Sequence, residues 1–480
     1  MDEARKTQLE FVEREAGNFG KLFAWVLCIV LPALIYYYAP KYGVSHEVSI
    51  FMAIMSVTLV MWIAELLPDF VPGLFAILLF LMFGLAPKDV IMSGFSSDGF
   101  FLALSVLALG TVIQSSGLSY RYALIIMKRV PDNTFWYMLS LFFTGLFLTP
   151  LVPVIAGRAS IVAPVLNEVV KHCDEKVKQS ASTVLFASGI NGITFLSAAF
   201  LSSTPLNLII YGMLPLQEQQ AFNFIKWTYA SSVVALCMLV LYFIISVVYF
   251  KTFSRLGIGK DYINEQLKCL GKVKKSEWIA MFGVIILGIG IFTSSLHKIS
   301  IPWIAFALLY FLLFIGTLNK EDFRNKIDWP FLFLLGSMIG LVSTMYYLDI
   351  DDILAKHLNW LAGYMSNNLK VFILLLSGTI LLVRLIVPMN ATVLIFAATL
   401  LPLAAASGVS PWLIGFIILL MSESSIFNYQ APYLYSFRNI TKGTVMQDDS
   451  RIMGFNIILI VVKLSAIYIS IPFWTNIGVL

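Results

Sequence analysis

The sequence predicts an all-α polytopic membrane protein of about 11 transmembrane helices plus two re-entrant hairpins, built as two repeats. Three observations carry this. The chain is 59% hydrophobic and only 12% charged, against about 25% charged residues in a soluble globular domain. Apolar stretches of about 20 residues recur along its whole length. Each half also holds apolar sequence broken by polar and helix-breaking residues. Pro150-Leu151-Val152-Pro153 with Arg158, and Ser202-Ser203-Thr204-Pro205, lie in the first half. Arg384 with Pro388-Met389-Asn390, and Asn428-Tyr429-Gln430-Ala431-Pro432, stand at corresponding places in the second. Bilayers tolerate broken backbone only where protein buries it or water lines it. Paired interruptions in two halves are the sequence mark of a repeat-built transporter with its site between the repeats.

Taken in order, residues 1–21 form a charged, amphipathic tail with four Lys/Arg. No small-residue cleavage site follows, so no removable signal peptide is expected. Residues 22–250 form the first repeat. Spans are expected at 22–40, 48–67 and 70–86. The polar turn Met92–Gly99 carries capping residues for the next helix, which runs to about Gln114. Tyr120–Arg129 reads as a basic interfacial helix. The first hairpin covers about 143–171 and the first broken helix about 182–213. Small residues in the latter (Ala187, Ser188, Gly189, Gly192) permit close helix approach. Residues 226–250 close the repeat.

Residues 251–276 are a basic linker. Lys251–Lys275 holds seven Lys/Arg against two acids, which places it in the cytoplasm. The second repeat, 277–480, repeats the order. Spans at 278–294 and 301–317 precede Ile327-Asp328-Trp329-Pro330, which opens a helix with Gly336 and Gly340. Asp349–Trp360 reads as interfacial. The second hairpin covers about 369–407, the second broken helix about 411–437, and 453–475 is the last span. An odd number of crossings puts the N-terminus in the cytoplasm and the C-terminus outside.

Composition excludes several functions. A net charge of +5 reflects basic loops rather than nucleic-acid binding. The four Cys and four His have no metal or disulfide spacing. No phosphate-binding loop and no nucleophile motif is present, so neither an enzyme nor an ATP-driven pump is expected. A secondary transporter remains.

Local motifs sharpen this. Met61-Trp62-Ile63-Ala64-Glu65-Leu66-Leu67-Pro68 is similar to a Trp-x-x-Glu-x-x-Pro segment. Gly94-Phe95-Ser96-Ser97 precedes a helix, Ser116-Gly117-Leu118 follows it, and Asp328-Trp329-Pro330 leads into a Gly-rich one. Thr204-Pro205-Leu206-Asn207 resembles a Pro-Pro-Asn element. In order and spacing these resemble the divalent anion/sodium symporter family of the ion transporter superfamily, from about residue 20 to 475. The resemblance implies an inverted-topology repeat with a scaffold and a transport domain. It implies hairpins with Ser-Asn-Thr tips that, with unwound helices, bind sodium and substrate carboxylates. It further implies a homodimer and an elevator-type movement. The chain departs from the pattern at the tips and the second break. Gly157-Arg158-Ala159 with Ser160 stands at the first tip, Met389-Asn390-Ala391-Thr392 at the second, and Gln430-Ala431-Pro432-Tyr433 at the second break.

The expected substrate ligands are Arg158, Ser160, Ser203, Thr204, Pro205, Asn390, Thr392, Gln430 and Pro432. The expected ion ligands are Gly157, Ser202, Asn390 and Asn428. Arg384 and Glu423 are candidate charge partners, and no metal centre is expected. Arginine cannot ligate sodium, but its five donors match a carboxylate. Arg158 therefore either replaces a sodium ion or clamps an anion, or serves as a structural link. Tyr429, Tyr433 and Tyr435 are expected to pack. The expected function is secondary transport of a di- or tricarboxylate, sulfate or related anion, coupled to sodium or protons or run as exchange. The alternative is a sodium/proton antiporter, for which Glu423 is the candidate titrating acid. Sodium ions are the only cofactor considered. The expected partners are a small anion, the lipid bilayer and a second copy, not nucleic acid, and the setting is a bacterial inner membrane.

Overall fold

The computed structural model describes residues 2–251, 254–257, 260–293, 299–350, 353, 359–441, 445 and 448–480; for 2–19 and scattered helix positions, Asn428 and Pro432 among them, it describes the backbone path alone. The N-terminal half contains α1 (Asp2–Tyr38), α2 (His46–Ile63), α3 (Phe70–Phe83), α4 (Asp98–Ser116), α5 (Leu118–Arg129), α6 (Thr134–Leu148), α7 (Ile155–Lys171), α8 (Glu175–Thr194), α9 (Pro205–Met213) and α10 (Phe224–Phe250). After α11 (Lys260–Leu270), the C-terminal half contains α12 (Lys275–Phe292), α13 (Ile301–Phe314), α14 (Trp329–Tyr347), α15 (Asn359–Asn367), α16 (Leu369–Val383), α17 (Met389–Ala406), α18 (Pro411–Ser422), α19 (Pro432–Thr441) and α20 (Asp449–Asn476). No strand occurs among the described residues. Part of the expected interfacial stretch Asp349–Trp360 lies outside them.

Short polar side chains fix the helix starts. Ser45, Ser97, Asn133, Thr204, Asn223, Asp328 and Asp448 each stand one residue before a helix and accept an amide of its first turn. These amides have no carbonyl partner within the helix. Helix length then sorts the elements. Windows in α1, α2, α4, α8, α10, α14, α17 and α20 are long and apolar enough to cross a bilayer. The apolar helices α3, α6, α13, α16 and α18 have only 12 to 15 residues. At 1.5 Å per residue they rise roughly 18–23 Å, short of a hydrocarbon core of about 30 Å.

Packing gathers the helices into two groups. α3 lies against α14, and α4 against α12 and α13. The other group holds the interrupted elements: α6 and α7 pack on α8, α7 on α19, α16 and α17 on α18, and α10 on α20. The short α9 touches both groups. Trp227, Trp412 and Trp474 are fully buried within the second group and meet ring to ring. The Trp227 and Trp474 ring N–H groups donate to the Ala198 and Ala230 carbonyls at 3.0 and 2.8 Å, as buried indoles usually do, while that of Trp412 has no partner among the described residues.

Two sequence motifs are explained by close approach. A Cβ on Gly94 would lie 1.9 Å from the Gly336 carbonyl oxygen, and one on Gly340 would lie 2.1 Å from that of Ile91. The turn between α3 and α4 therefore rests directly on the α14 backbone, and the glycines are there for want of a side chain. Gly340→Val is expected to cost about 1–3 kcal/mol through overpacking, read as a lower melting temperature in detergent. An unchanged melting temperature would mean the turn moves aside.

The linker carries structure that its composition does not announce. Arg121 of α5 is buried, pairs with Glu277 at 3.0 Å, and donates to the carbonyls of Leu270, Gly271 and Lys272 at 3.3, 2.8 and 3.3 Å. It ties the end of α11 to the start of α12.

Candidate substrate and ion site

The helix interrupted between α8 and α9 leaves carbonyls without intrahelical partners, and these need donors. Arg158, on the first turn of α7 and fully buried, supplies two of them. Its Nη1 donates to the Ile193 carbonyl, to Thr149 Oγ1 at 3.1 Å and to Ser197 Oγ at 3.2 Å. Its Nη2 donates to the Ser203 carbonyl at 2.6 Å. Asn207 Nδ2 completes the set, at 2.9 Å from the Ser197 carbonyl, 2.8 Å from that of Phe200 and 3.0 Å from Ser203 Oγ. Ser203 Oγ itself donates to the Ser197 carbonyl. Ser202 Oγ donates at 2.8 Å to the Pro150 carbonyl in the loop between α6 and α7. Thr204 caps α9, and Pro205 opens it.

The second interruption is satisfied in the same way. Arg384, the C-cap of α16, is buried. Its Nε donates to the Ser422 carbonyl at 2.9 Å, Nη1 to that of Val387 at 3.1 Å and Nη2 to that of Gln430 at 2.7 Å. Gln430 answers through its side chain. Its Nε2 donates to the Arg384 carbonyl at 2.7 Å, and its Oε1 accepts the Ile426 and Phe427 amides at 2.7 and 2.9 Å. Ser203 and Gln430 occupy equivalent places, each two residues before the proline that opens the next half-helix. Arg384 occupies the place of Thr149, each four residues before the turn proline. The two halves thus bring a guanidinium to a similar helix break from different positions.

The remaining expected residues divide. Gly157 is buried, and a Cβ there would meet Val152 at 3.1 Å and Gln114 at 3.2 Å. Ser160 Oγ donates to the Gly157 carbonyl and accepts Gln114 Nε2 at 3.1 Å. Thr392 is buried and donates to the Pro388 carbonyl at 2.9 Å. The side chains of Asn428 and Pro432 lie outside the described residues.

A cavity of about 450 Å³ lies where the two groups of helices meet. One wall is formed by Val154–Ala156, by Thr204-Pro205 and by Met389-Asn390. These are the starts of α7, α9 and α17, so three helix N-termini face one space, and such ends favour an anion. The same cavity is lined by Asp69 and Asp328, at the starts of α3 and α14. Asp328 caps α14. Asp69 precedes α3 without capping it; its Oδ2 accepts Asn390 Nδ2 at 2.9 Å.

One charged residue has no place in the sequence reading. Lys463, in the middle of the apolar α20, is buried. Its Nζ donates to the Leu420 carbonyl at 3.0 Å and to Ser424 Oγ at 3.2 Å, beside Glu423. Neither arginine forms an ion pair with Glu423. Outside the apolar spans, Glu218 accepts Ser410 Oγ at 2.9 Å and the Trp412 amide at 2.8 Å, and caps α18 from the preceding repeat. Burial raises its carboxyl above the usual carboxylate range, while those two hydrogen bonds and Lys226 oppose the shift.

Broken helices and helix ends converging on one cavity, in a chain of apolar spans, are the features of a membrane transporter. The chain belongs to the family described as the sodium:sulfate symporter transmembrane region, whose model matches residues 20–480. This bears out the resemblance to the divalent anion/sodium symporters. Among its relatives, the L-tartrate/succinate antiporter of Escherichia coli O6:K15:H31 is 21% identical over 62% of this chain. The chain covers 60% of the length of that antiporter. Inner membrane protein YbhI of Escherichia coli K12 is 23% identical over 73% of this chain and 75% of its own. The Alcanivorax borkumensis YdaH transporter, reported to have an unusual topology, is 13% identical with a TM-score of 0.48, over 83% of this chain and 89% of that one.

Proposed function

We propose that this chain is a secondary transporter that exchanges dicarboxylate-type anions without sodium. The observation that carries the reading is the guanidinium at each helix break. A hard cation needs a cluster of oxygens to itself. Here the Thr149, Ile193, Ser197 and Ser203 oxygens hold Arg158, and the Val387, Ser422 and Gln430 oxygens hold Arg384. The residues present do not fit sodium at these two places, because fixed cations use the ligands. The three helix N-termini add positive potential where an anion would lie. A relative named as an L-tartrate/succinate antiporter favours dicarboxylates and exchange over sulfate and symport. In this reading Thr204, Pro205 and Asn390 meet the substrate. Gly157, Ser160, Ser202, Thr392 and Gln430 hold the tips and breaks in shape. The interrupted helices move as one body against the α3–α14 group, in a homodimer of the bacterial inner membrane with its N-terminus in the cytoplasm.

The test is uptake of labelled succinate, tartrate, citrate and sulfate into proteoliposomes preloaded with the same anion or left empty, in sodium or choline buffer. Uptake that needs internal anion and ignores sodium is expected. Uptake driven by a sodium gradient into empty vesicles would overturn the reading.

Asp69 offers a second check. Its carboxylate occupies the Asn390 amide that a substrate carboxylate would use. Asp69→Ala removes a hydrogen bond worth about 0.5–1.5 kcal/mol. The KM for the anion is therefore expected to fall roughly 2- to 10-fold. A KM that stays level or rises would show that Asn390 takes no part in binding.

A further inference from the structure

The exchange reading leaves one intramembrane acid without a task. Glu423 is the C-cap of α18, inside the second break. Its Oε2 is sealed from solvent and has no hydrogen-bond donor. Lys463 does not fill that gap, since its Nζ is committed to the Leu420 carbonyl and Ser424 Oγ. No ion pair joins the two residues among those described. A small cavity of about 50 Å³ adjoins the carboxylate, lined by Asn191, Thr194, Tyr433, Asn456 and Lys463. That is room for a few waters, and the lining is polar enough to hold them. An ionised carboxylate oxygen buried with no donor is costly, whereas the protonated form carries its own O–H. Intramembrane acids in such settings relay protons.

The charged and titratable groups around Glu423 come from every element packed on it. They are Arg158 from α7, Lys463 from α20 and Tyr433 from α19, with Arg384 beyond Lys463. Three buried cations and one acid give the core a net charge of about +2 when Glu423 is ionised and about +3 when it is protonated.

We infer that Glu423 is a proton site that sets the core charge, so that the same transporter carries a dianion with Glu423 ionised and a trianion with Glu423 protonated. A trianion entering with one proton on Glu423 Oε2 then exchanges for a dianion leaving, and no net charge crosses. The proton comes from water on the loading side through the small cavity and is returned on the far side when the trianion leaves. This rests on the exchange reading. Succinate/succinate homoexchange tests that reading alone, so the two fail separately.

The experiment uses wild-type protein and Glu423→Gln in proteoliposomes containing a pH-sensitive dye, at about pH 8, where free tricarboxylates are ionised. External citrate exchanging for internal succinate is expected to acidify the lumen by about one proton per turnover in the wild type. Glu423→Gln fixes the core in its higher charge. Citrate homoexchange should persist, succinate homoexchange should fall by about 100-fold, and proton entry should vanish. Retained citrate exchange also certifies the fold. Wild-type heteroexchange without lumenal acidification overturns the inference. So does a Glu423→Gln protein that treats both anions like the parent, or one that loses both equally while its melting temperature is unchanged. If the variant does not fold, the wild-type proton count decides.

Discussion

Proteoliposomes loaded with labelled succinate and diluted into substrate-free buffer should keep their label, and should release it only when succinate is added outside. The expectation follows from charge. Arg158, Arg384 and Lys463 are buried beside the breaks, with Glu423 as the one acid among the described residues there. In a sodium symporter the cations arrive and leave with the substrate. Here they are part of the chain and stay when the anion has gone. Each charge at the bilayer centre costs about 2.5–3.5 kcal/mol on insertion scales. Returning empty with two uncompensated charges would add roughly 5–7 kcal/mol, or about four to five orders of magnitude in rate. Loaded with a dianion, the core is neutral and the penalty disappears. Efflux into empty buffer within about tenfold of the exchange rate would show that the cations are compensated in some other way.

The residues of the two breaks were legible in the sequence to very different degrees. The breaks were readable because a bilayer forbids unsatisfied backbone. Pro153, Pro205, Pro388 and Pro432 inside apolar sequence had to mark structured interruptions, and helices end or begin at each place. Gly94, Gly336 and Gly340 were readable as motifs but not as a mechanism, since their reason is a contact between distant backbones. Arg158 stood out beside its proline. Arg384 was legible only as a candidate charge partner, because sequence fixes where the Cα lies and not how far a long side chain reaches. Lys463 gave one signal, a charge in the middle of an apolar span, but none that named its partners. It lies in α20 without a nearby break, and its partners Leu420 and Ser424 are on another helix. The Asp69–Asn390 contact joins opposite ends of the chain, and no local pattern encodes such a pair. Local physics was visible wherever the backbone itself was in difficulty. Pairings made only by side chains across repeats were not.

Arg158→Asn should abolish sodium-independent exchange and create a response to sodium. The substitution withdraws the donors from the Ile193 and Ser203 carbonyls, which are held in the buried break. Each buried acceptor left unmet costs about 1–3 kcal/mol, so a melting temperature lower by several degrees is expected. Succinate exchange in choline buffer should fall at least about 100-fold, the equivalent of losing roughly 2.7 kcal/mol from the loaded transition state. Sodium chloride should then raise the melting temperature of the variant more than choline chloride does, because the freed oxygens of Thr149, Ile193, Ser197 and Ser203 form a set that a hard cation can use. Arg158→Lys separates charge from geometry. It keeps the charge, but its single nitrogen cannot match the planar fork that serves four oxygens. It should therefore retain sodium independence while losing rate. If Arg158→Asn keeps the parent's affinity and its indifference to sodium, Arg158 is a structural link, and the positive charge for the anion must come from Arg384, Lys463 and the three helix N-termini.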